Sequence, residues 1–201
     1  FSRLSRSSFS IHLGTGAGTF GAVTSVSLGG SFRAVRAADI NNVGKTDLVF
    51  GNSATATSVR VALGNGTGGF SVGTAISISV DDLRDMELSD LNRDGKIDLL
   101  VATEGELAIL LGNGNGTFGA RNDILDTFVS SIDVGDVNND AATDIAFLGD
   151  DGQKILRNSG SGTFGSPIAT SANVITESDL ADVNGDGKLD IYSCRTSKTD
   201  N

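Results

Sequence analysis

Four short stretches of the chain place oxygen-bearing side chains at a spacing that suits a hard cation. Each has the form Asp-x-Asn-x-Asp-Gly-x-x-Asp or a close variant, so side-chain oxygens fall at positions 1, 3, 5 and 9. In a tight loop this spacing turns alternate side chains inward, with the backbone carbonyl of position 7 nearby. Ca²⁺ takes about six to eight such oxygens, and glycine at position 6 permits the sharp turn. We call these stretches the acidic loops and predict that they bind Ca²⁺.

The second and fourth acidic loops are complete, and we expect each to hold a Ca²⁺ ion. The lysine at position 7 would offer only its backbone carbonyl. The candidate ligands of the second loop are Asp90, Asn92, Asp94, Lys96 and Asp98. Those of the fourth loop are Asp182, Asn184, Asp186, Lys188 and Asp190.

The third and first acidic loops depart from the pattern. The third has Ala141 at the glycine position, so a positive φ there would strain the backbone and weaken binding. Its candidate ligands are Asp136, Asn138, Asp140, Ala142 (through its carbonyl) and Asp144. The first has Val43 at position 5, and we expect it to bind a metal weakly or not at all. Its candidate ligands are Asp39, Asn41 and Asp47.

The acidic loops have two other possible interpretations. An EF-hand loop needs a carboxylate at position 12 and a helix after it. Position 12 is instead occupied by Phe50, Val101, Phe147 and Ser193, and the residues that follow are typical of strands. Alternatively, Asp and Asn simply suit hairpin turns, but four copies in register favour a metal.

The acidic loops are one of two markers that recur together. Their first residues lie 51, 46 and 46 residues apart, and a Gly-rich turn closed by phenylalanine recurs at spacings of 50, 48 and 46. A shared period of this length indicates propeller blades, solenoids or arrays. The phenylalanines are Phe20, Phe70, Phe118 and Phe164, and we expect them to fill the core between repeats.

Short apolar runs flank both markers and predict the strands. They are rich in Val, Ile and Leu and bounded by Gly, Asn, Asp and Ser, as Leu99–Val101 and Leu107–Leu111 show. No stretch carries a convincing helical stripe. Each unit therefore reads as four strands: A before the acidic loop, B after it, C before the Gly turn and D after it. The sequence predicts an all-β fold, a β-propeller of four-stranded antiparallel blades with four blades' worth of repeats.

The phase of the repeat predicts how the chain is divided. We expect a leader or linker at 1–9, a C–D strand pair at 10–30, full units at about 31–78, 79–127 and 128–173, a closing A–B pair at 174–194 and a polar tail at 195–201. A two-stranded unit leaves an open edge, which proteins usually cover. The two ends could pair within the chain, pair between copies in a homo-oligomer, or continue into a longer chain.

Charge and composition exclude several functions. The formal net charge of −10 argues against nucleic acid, because phosphate contacts need a basic surface. The apolar runs are too short for a membrane-spanning helix, so no membrane insertion is expected. Nearly every clustered carboxylate belongs to an acidic loop, which leaves no evident catalytic group, and we expect no enzyme.

The residues resemble a known repeat family. The string that runs from Asp90 to Val101, followed by the run from Leu110 to Gly119, is similar to the FG-GAP/VCBS repeat of bacterial surface proteins and, more distantly, of integrin α-subunit heads. The Phe-Gly half of that motif stands at Phe20, Phe118 and Phe164, each followed by glycine, whereas the Gly-Ala-Pro half is absent. The resemblance implies Ca²⁺ in the A–B loops, a secreted or cell-surface location, and adhesion or ligand binding.

The predicted meander places the acidic loops and Gly turns at one end and the other connections at the opposite end. Loops on a rigid scaffold often carry binding, so we expect the second end to recognise a protein or glycan partner. Its candidate partner-binding residues are Asp81, Asp82 and Asp85. The alternative is a non-catalytic accessory or structural segment of a larger secreted enzyme or surface protein.

Overall fold

The computed structural model describes residues 8–30, 32–52, 58–78, 83–171 and 175–195. Within these ranges the chain forms seventeen β-strands and no helix, so the predicted all-β fold is confirmed. No helix that could span a bilayer occurs in the described part. Residues 1–7 and 196–201 of the expected leader and tail lie outside the described residues, and β1 begins two residues inside the segment expected as leader.

Three antiparallel sheets each contain strands A to D in chain order. The first consists of β3 (Phe32–Ala38), β4 (Asp47–Asn52), β5 (Ser58–Gly64) and β6 (Phe70–Val72), with β7 (Ile76–Ser77) also paired to β5. The second consists of β8 (Leu83–Ser89), β9 (Asp98–Thr103), β10 (Glu106–Gly112) and β11 (Phe118–Asp126). The third consists of β12 (Val129–Gly135), β13 (Asp144–Gly149), β14 (Gly152–Leu156) and β15 (Ile168–Ser171).

A two-stranded sheet lies at each end of the row. β1 (Ser8–Gly14) pairs with β2 (Phe20–Ser27), and β16 (Ile175–Ala181) pairs with β17 (Asp190–Arg195). By position in the repeat, the first pair is C–D and the last pair is A–B. In this structure β1 and β17 are not hydrogen-bonded to each other, so the row of sheets is not closed by its own ends.

The hydrophobic core lies between neighbouring sheets. One cluster joins the first and second whole sheets through Val61 and Leu99, and another joins the second and third through Leu107 and Phe147. Consecutive sheets also touch through their A strands, β3 with β8, β8 with β12 and β12 with β16. B strands such as β9 are therefore buried on both faces. Sheets stacked face to face around their first strands are the blades of a β-propeller, as predicted.

The repeated phenylalanines are not equally buried. Phe118 is 8% exposed and packs in the core between the first two whole blades. Phe70 and Phe164 are half-buried. Phe20 is 72% exposed, so the prediction that it fills the core is wrong. The physical reason is that no described sheet lies against that side of the β1–β2 pair.

The last aspartate of each acidic loop holds the blade together. Asp47, Asp98 and Asp144 are fully buried. Asp98 accepts hydrogen bonds from the N–H of Leu91 at 2.9 Å and the N–H of Gly112 at 2.8 Å. Asp47 and Asp144 make the same two kinds of bond. Because one donor lies in the acidic loop and the other at the end of strand C, each carboxylate ties the acidic loop to its Gly turn.

Replacing Asp98 should destabilise the fold strongly. Asp98→Ala leaves two buried N–H groups without an acceptor, so we expect the free energy of unfolding to fall by about 2 to 6 kcal/mol. Urea unfolding in the presence of a chelator measures this change without any metal contribution. Asp94→Ala, in the same loop but exposed to solvent, is the matched control and should cost about 1 kcal/mol or less. Equal losses for the two variants would contradict the structural role of Asp98.

Candidate functional site

The acidic loops form a continuous row along one end of the blades. The Asn42 side chain donates to the Gly95 carbonyl at 3.0 Å, joining the first loop to the second. Arg93 donates to the Asp140 carbonyl at 3.0 Å, joining the second to the third. Each of these loops also contacts the Gly turn of its own blade through its last aspartate. The A–B and C–D connections therefore share one end, as the meander requires.

The side chains at positions 1, 3 and 5 fold back over their own loop. In the second loop Asp90 accepts from the N–H groups of Asp94 and Gly95 at 3.1 and 2.9 Å. Asn92 accepts from the N–H of Asp94 at 3.0 Å, and Asp94 accepts from the N–H of Lys96 at 2.9 Å. The fourth loop repeats the pattern, with Asp182 accepting from Asp186 and Gly187. An ionised carboxylate oxygen that accepts one such bond keeps a further lone pair.

Positions 4 and 6 of every acidic loop have a left-handed backbone. At position 6 φ is +77° for Gly44, +79° for Gly95, +83° for Gly187 and +66° for Ala141. Ala141 of the third loop therefore has the positive φ for which alanine is unfavourable. An alanine in this conformation costs roughly 1 to 2 kcal/mol relative to a right-handed one.

The predicted ligands divide into two groups. The residues at positions 1, 3 and 5 are half-buried or exposed, whereas position 9 is buried in the first three loops and bonded to two backbone N–H groups. Burial raises the pKa of Asp98, the N–H groups of Gly112 and Leu91 oppose this, and the charges of Asp94 and Asp90 raise it further. No three His, Cys, Asp or Glu side chains of the described residues converge as a preassembled metal cluster.

The partner-binding candidates fall in different places. Asp81 and Asp82 lie outside the described residues. Asp85 lies in strand β8, where its carboxylate accepts from the N–H of Ile132 at 3.1 Å and forms a 2.9 Å ion pair with Arg36. Asp85 is thus half-buried between blades and borders the central cavity described next.

A cavity of about 300 Å³ lies where the A strands converge, and the sequence analysis missed it. Most of its lining residues carry polar groups, and they come from β3, β8, β12, β16 and β17. The lining residues are Arg36, Asp85, Glu87, Ser131, Ile132, Asp133, Ser178, Asp179, Tyr192, Ser193 and Cys194. We call it the central cavity.

The carboxylates of the central cavity connect one blade to the next. Arg36 of the first whole blade donates to Glu87 of the second at 2.7 Å. Asp133 of the third accepts from the N–H of Leu180 in the last strand pair at 2.6 Å. The Tyr192 hydroxyl donates to Asp179 at 2.8 Å. One arginine and four carboxylates give the cavity a net negative charge.

The pKa values of two of these carboxylates shift in opposite directions. Burial raises the pKa of Asp133 to about 6, and the hydrogen-bonded carboxyl of Asp179 contributes to the increase. The hydrogen bond with Asp133, followed by that from Tyr192, lowers the pKa of Asp179. Burial also raises the pKa of Glu87, and the ion pair with Arg36 opposes this shift. At neutral pH the cavity therefore offers charged acceptors, and near pH 5 it also offers a carboxyl donor.

Aligning the repeats would have revealed this cavity. Arg36, Glu87, Asp133 and Asp179 each stand three residues before the first aspartate of an acidic loop. Each is paired with the second residue after the last aspartate of that loop, as Glu87 with Leu100 and Asp133 with Ala146. The sequence signal for this cavity was a charged residue at the same position of every repeat, inside strand A.

The pH dependence of stability should identify the Asp133–Asp179 pair. The pKa of Asp133 is raised on folding, so its stabilising contribution is present below about pH 4 and is lost as pH rises through about 6. The lowered pKa of Asp179 affects stability only at lower pH. The stabilisation that Asp179 provides is lost as the pH falls below the ordinary range of aspartate pKa values.

Asp133→Asn removes the repulsion between the carboxylates of Asp133 and Asp179. We therefore expect the Tm of this variant to exceed that of the unmodified chain at pH 7.5, and the difference to shrink toward pH 4.5. Thermal melts across this range measure the difference. Asp126→Asn, at the exposed end of β11, is the control and should give a constant offset. A constant offset for Asp133→Asn as well would contradict the raised pKa of Asp133.

Known proteins resemble this chain in fold and in repeat. A solved structure of a lectin from Agrocybe aegerita, described as specifically recognising non-reducing terminal N-acetylglucosamine, matches with a TM-score of 0.66 and 22% identity over 90% of this chain and 54% of the lectin. The chain thus spans about half of the lectin's length. The Photorhabdus luminescens Tc holotoxin pore matches with a TM-score of 0.48 and 21% identity over 78% of this chain and 8% of that one. The comparison with curated proteins gave no match.

The family comparison agrees with the repeat seen in the strands. The model of the FG-GAP-like repeat matches residues 90–147 and again residues 136–193. Each match begins at the first aspartate of an acidic loop and ends within the B strand of the next repeat. Together they span more than half of the chain. The chain therefore belongs to the FG-GAP-like repeat family, and its sheets are blades of a β-propeller.

Proposed function

We propose that this chain is a Ca²⁺-stabilised extracellular propeller module that binds a glycan. The proposal of Ca²⁺ binding rests on the row of acidic loops at one end of the blades. Each presents Asp and Asn oxygens at positions 1 and 3, and three of the four add an Asp at position 5. Hard oxygen ligands of this kind suit Ca²⁺.

The donor set of the loops fits such an ion. The Asn41 side-chain oxygen in the first loop is buried and has no hydrogen-bond donor among the described residues. In the second loop burial raises the pKa of Asp98, and repulsion from the charges of Asp94 and Asp90 raises it further. A divalent cation would supply the missing partner in the first case and relieve the repulsion in the second.

The residues that would hold Ca²⁺ in the two complete loops are those at positions 1, 3 and 5, the carbonyl at position 7, and the last aspartate. When bound, Ca²⁺ supplies a positive charge that cross-links the loop and neutralises its carboxylates. The chain's own N–H groups already hold Asp90 and Asp182 in place, which lowers the cost of ordering the loop. Loops that bind Ca²⁺ with Kd values of about 10⁻⁴ to 10⁻³ M, as in extracellular modules, fill only where Ca²⁺ is plentiful, so the Ca²⁺ proposal carries with it a location outside the cell.

Glycan binding is supported by the chemistry of the central cavity. Carboxylates, serine hydroxyls, an arginine and a tyrosine hydroxyl offer both donors and acceptors to sugar hydroxyl groups. The volume of about 300 Å³ suits one or two sugar rings. The matched lectin, which shares the fold, is described as recognising non-reducing terminal N-acetylglucosamine. We therefore propose N-acetylglucosamine as the first sugar to test.

A structural role within a larger protein is the second candidate. The observation that favours it is that the chain has no Trp and one Tyr, so it offers few aromatic faces for stacking on a sugar ring or for anchoring a protein partner. In that case the blades would serve as a non-catalytic accessory or spacer segment. A chain that binds Ca²⁺ but none of the glycans tested would support this candidate.

Removal of Ca²⁺ should lower thermal stability. A ligand at a hundredfold excess over Kd adds roughly 2.7 kcal/mol per site, which corresponds to a Tm change of several degrees for a chain of this size. Calorimetry with Ca²⁺, with Mg²⁺ and with excess chelator measures the effect. We expect Ca²⁺, but not Mg²⁺, to restore the Tm that chelation lowers.

Variants of the second loop test which residues are responsible. Asp90→Asn with Asp94→Asn should abolish most of the Ca²⁺-dependent gain of that loop. Asp126→Asn with Asp150→Asn, two exposed positions outside the acidic loops, is the charge-matched control and should leave the gain unchanged. A melt that is the same with Ca²⁺ and with chelator would show that the acidic loops are only turns.

Sugar binding is tested separately by calorimetric titration with N-acetylglucosamine and by a glycan array, both at saturating Ca²⁺. Ser131→Leu places an apolar side chain in the central cavity and should weaken binding at least tenfold. Ser161→Leu, in an exposed Gly turn, is the control and should not change it. Retention of full affinity in Ser131→Leu would exclude the central cavity as the sugar site.

A further inference from the structure

Each acidic loop that has an aspartate at position 5 also has a basic side chain close to that aspartate. In the second loop the Lys96 ammonium, at position 7, lies 3.1 Å from the carboxylate of Asp94. In the fourth loop the corresponding distance, from Lys188 to Asp186, is 3.9 Å. The third loop has Ala142 at position 7 and therefore has no lysine of its own there.

The second loop supplies the basic side chain of the third. Arg93 stands at position 4 of the second loop, and its guanidinium lies 3.8 Å from the carboxylate of Asp140, the position-5 residue of the third loop. The same guanidinium donates to the Asp140 carbonyl at 3.0 Å, which holds it in place. Arg93 therefore carries a positive charge across the boundary between two blades.

The charge of Arg93 acts on the carboxylate that it faces. The N–H of Ala142 contributes most to the lowered pKa of Asp140, and the charge of Arg93 adds to this effect. The charge of Arg157 acts on Asp140 in the same direction. The carboxylate of Asp140 is thus partly neutralised by the chain itself.

The Gly turns show that Arg93 takes the place of a lysine at position 7. A Cβ at Gly114 would lie 3.0 Å from the side chain of Lys96 in the same blade, and Lys45 makes the equivalent contact in the first whole blade. The equivalent glycine of the third blade is Gly160, where a Cβ would lie 2.9 Å from the guanidinium of Arg93. The same glycine therefore packs against a basic side chain in all three whole blades. In the third blade that side chain comes from the preceding blade.

We propose that Arg93 is the counter-ion of the third acidic loop and lowers the affinity of that loop for Ca²⁺. This inference rests on the proposed function, because it concerns the affinity of a loop proposed to bind Ca²⁺. A fixed guanidinium repels a divalent cation and competes with it for the carboxylate of Asp140. The side chain of Arg93 is 44% exposed, so dissolved salt weakens the repulsion.

NMR titration of backbone amides with CaCl₂ measures the two loops separately. The N–H of Gly95 donates to Asp90 in the second loop, and the N–H of Ala141 donates to Asp136 in the third. Each of these acceptors is the candidate ligand at position 1 of its loop. The two amide signals therefore give one Kd for the second loop and one for the third.

Arg93→Asn removes the charge and keeps a residue that suits the backbone. Asparagine tolerates a positive φ, and Asn42 at the same position of the first loop has a φ of +56° and donates to the Gly95 carbonyl of the next loop. We expect the Kd read from Ala141 to fall by about two- to fivefold at low ionic strength, and by less at about 0.15 M salt. The Kd read from Gly95 should change less, because the guanidinium of Arg93 lies over the third blade.

Two further variants separate the charge of Arg93 from other effects of substitution. Arg93→Lys keeps the charge, so its Kd values should stay close to those of the unmodified chain. Lys154→Gln removes a positive charge from the same blade at the opposite end, where Lys154 pairs with Asp151, and should change neither Kd.

The titrations also distinguish failure of this inference from failure of Ca²⁺ binding itself. The inference is overturned by an Ala141 signal whose Kd is the same in Arg93→Asn as in the unmodified chain, or by an Ala141 signal that does not respond to Ca²⁺. If the Gly95 signal still responds in either case, the proposed Ca²⁺ binding stands without this role for Arg93. If neither signal responds, the proposed Ca²⁺ binding of these loops is overturned as well.

Discussion

The blade depends on a buried carboxylate that accepts two backbone hydrogen bonds. Asp47, Asp98 and Asp144 are fully buried although each is an acid, and a buried charge is tolerated only where it is well bonded. Their bonds fix the start of strand B against both the acidic loop and the end of strand C. This contact sets the strand register of each blade and brings the acidic loop and the Gly turn to the same end. The positions of the proposed Ca²⁺ ligands follow from it.

The blades are joined by two different kinds of contact. Away from the axis, apolar side chains pack between sheets, as Val61 and Leu99 do. At the axis, charged side chains replace them, and Arg36, Glu87, Asp133 and Asp179 occupy one repeat position. Apolar packing supplies most of the stability because it removes surface from water. The axial charges add hydrogen bonds between blades and leave a polar cavity, so the same repeat position contributes to assembly and to the proposed recognition of a ligand.

The two-stranded sheets at the ends of the row lack contacts that the whole blades make with their neighbours. In the whole blades every acidic loop has its Gly turn, and Leu91 and Phe118 are buried. At the ends the same positions, Val183 and Phe20, are exposed, although the residue types are conserved between repeats of this chain. The local sequence is therefore adapted to a blade that the row itself does not complete. Repeat proteins bury their cores only between neighbouring units.

Much of the fold could be predicted from the sequence, because repetition multiplies a weak signal. One Asp-rich turn says little, but four in register with four Gly turns fixed the period, the strand order and the all-β class. The positive φ of Ala141 could be predicted because the same position is glycine in the other three acidic loops. These features depend on contacts within one repeat, so a short stretch of sequence contains all the residues that decide them.

What only the tertiary structure decided depends on contacts between strands and between repeats. The sequence suggested that Asp98 was simply a fourth metal ligand, whereas the fold buries it against Leu91 and Gly112. The central cavity unites side chains about 50 residues apart, such as Arg36 and Glu87, which no local pattern brings together. Likewise the sequence left the closure of the ring open, and in the structure β1 and β17 are not hydrogen-bonded to each other. Local periodicity determines what each segment becomes, whereas burial and the partners of a polar group are set by whichever segments meet in space.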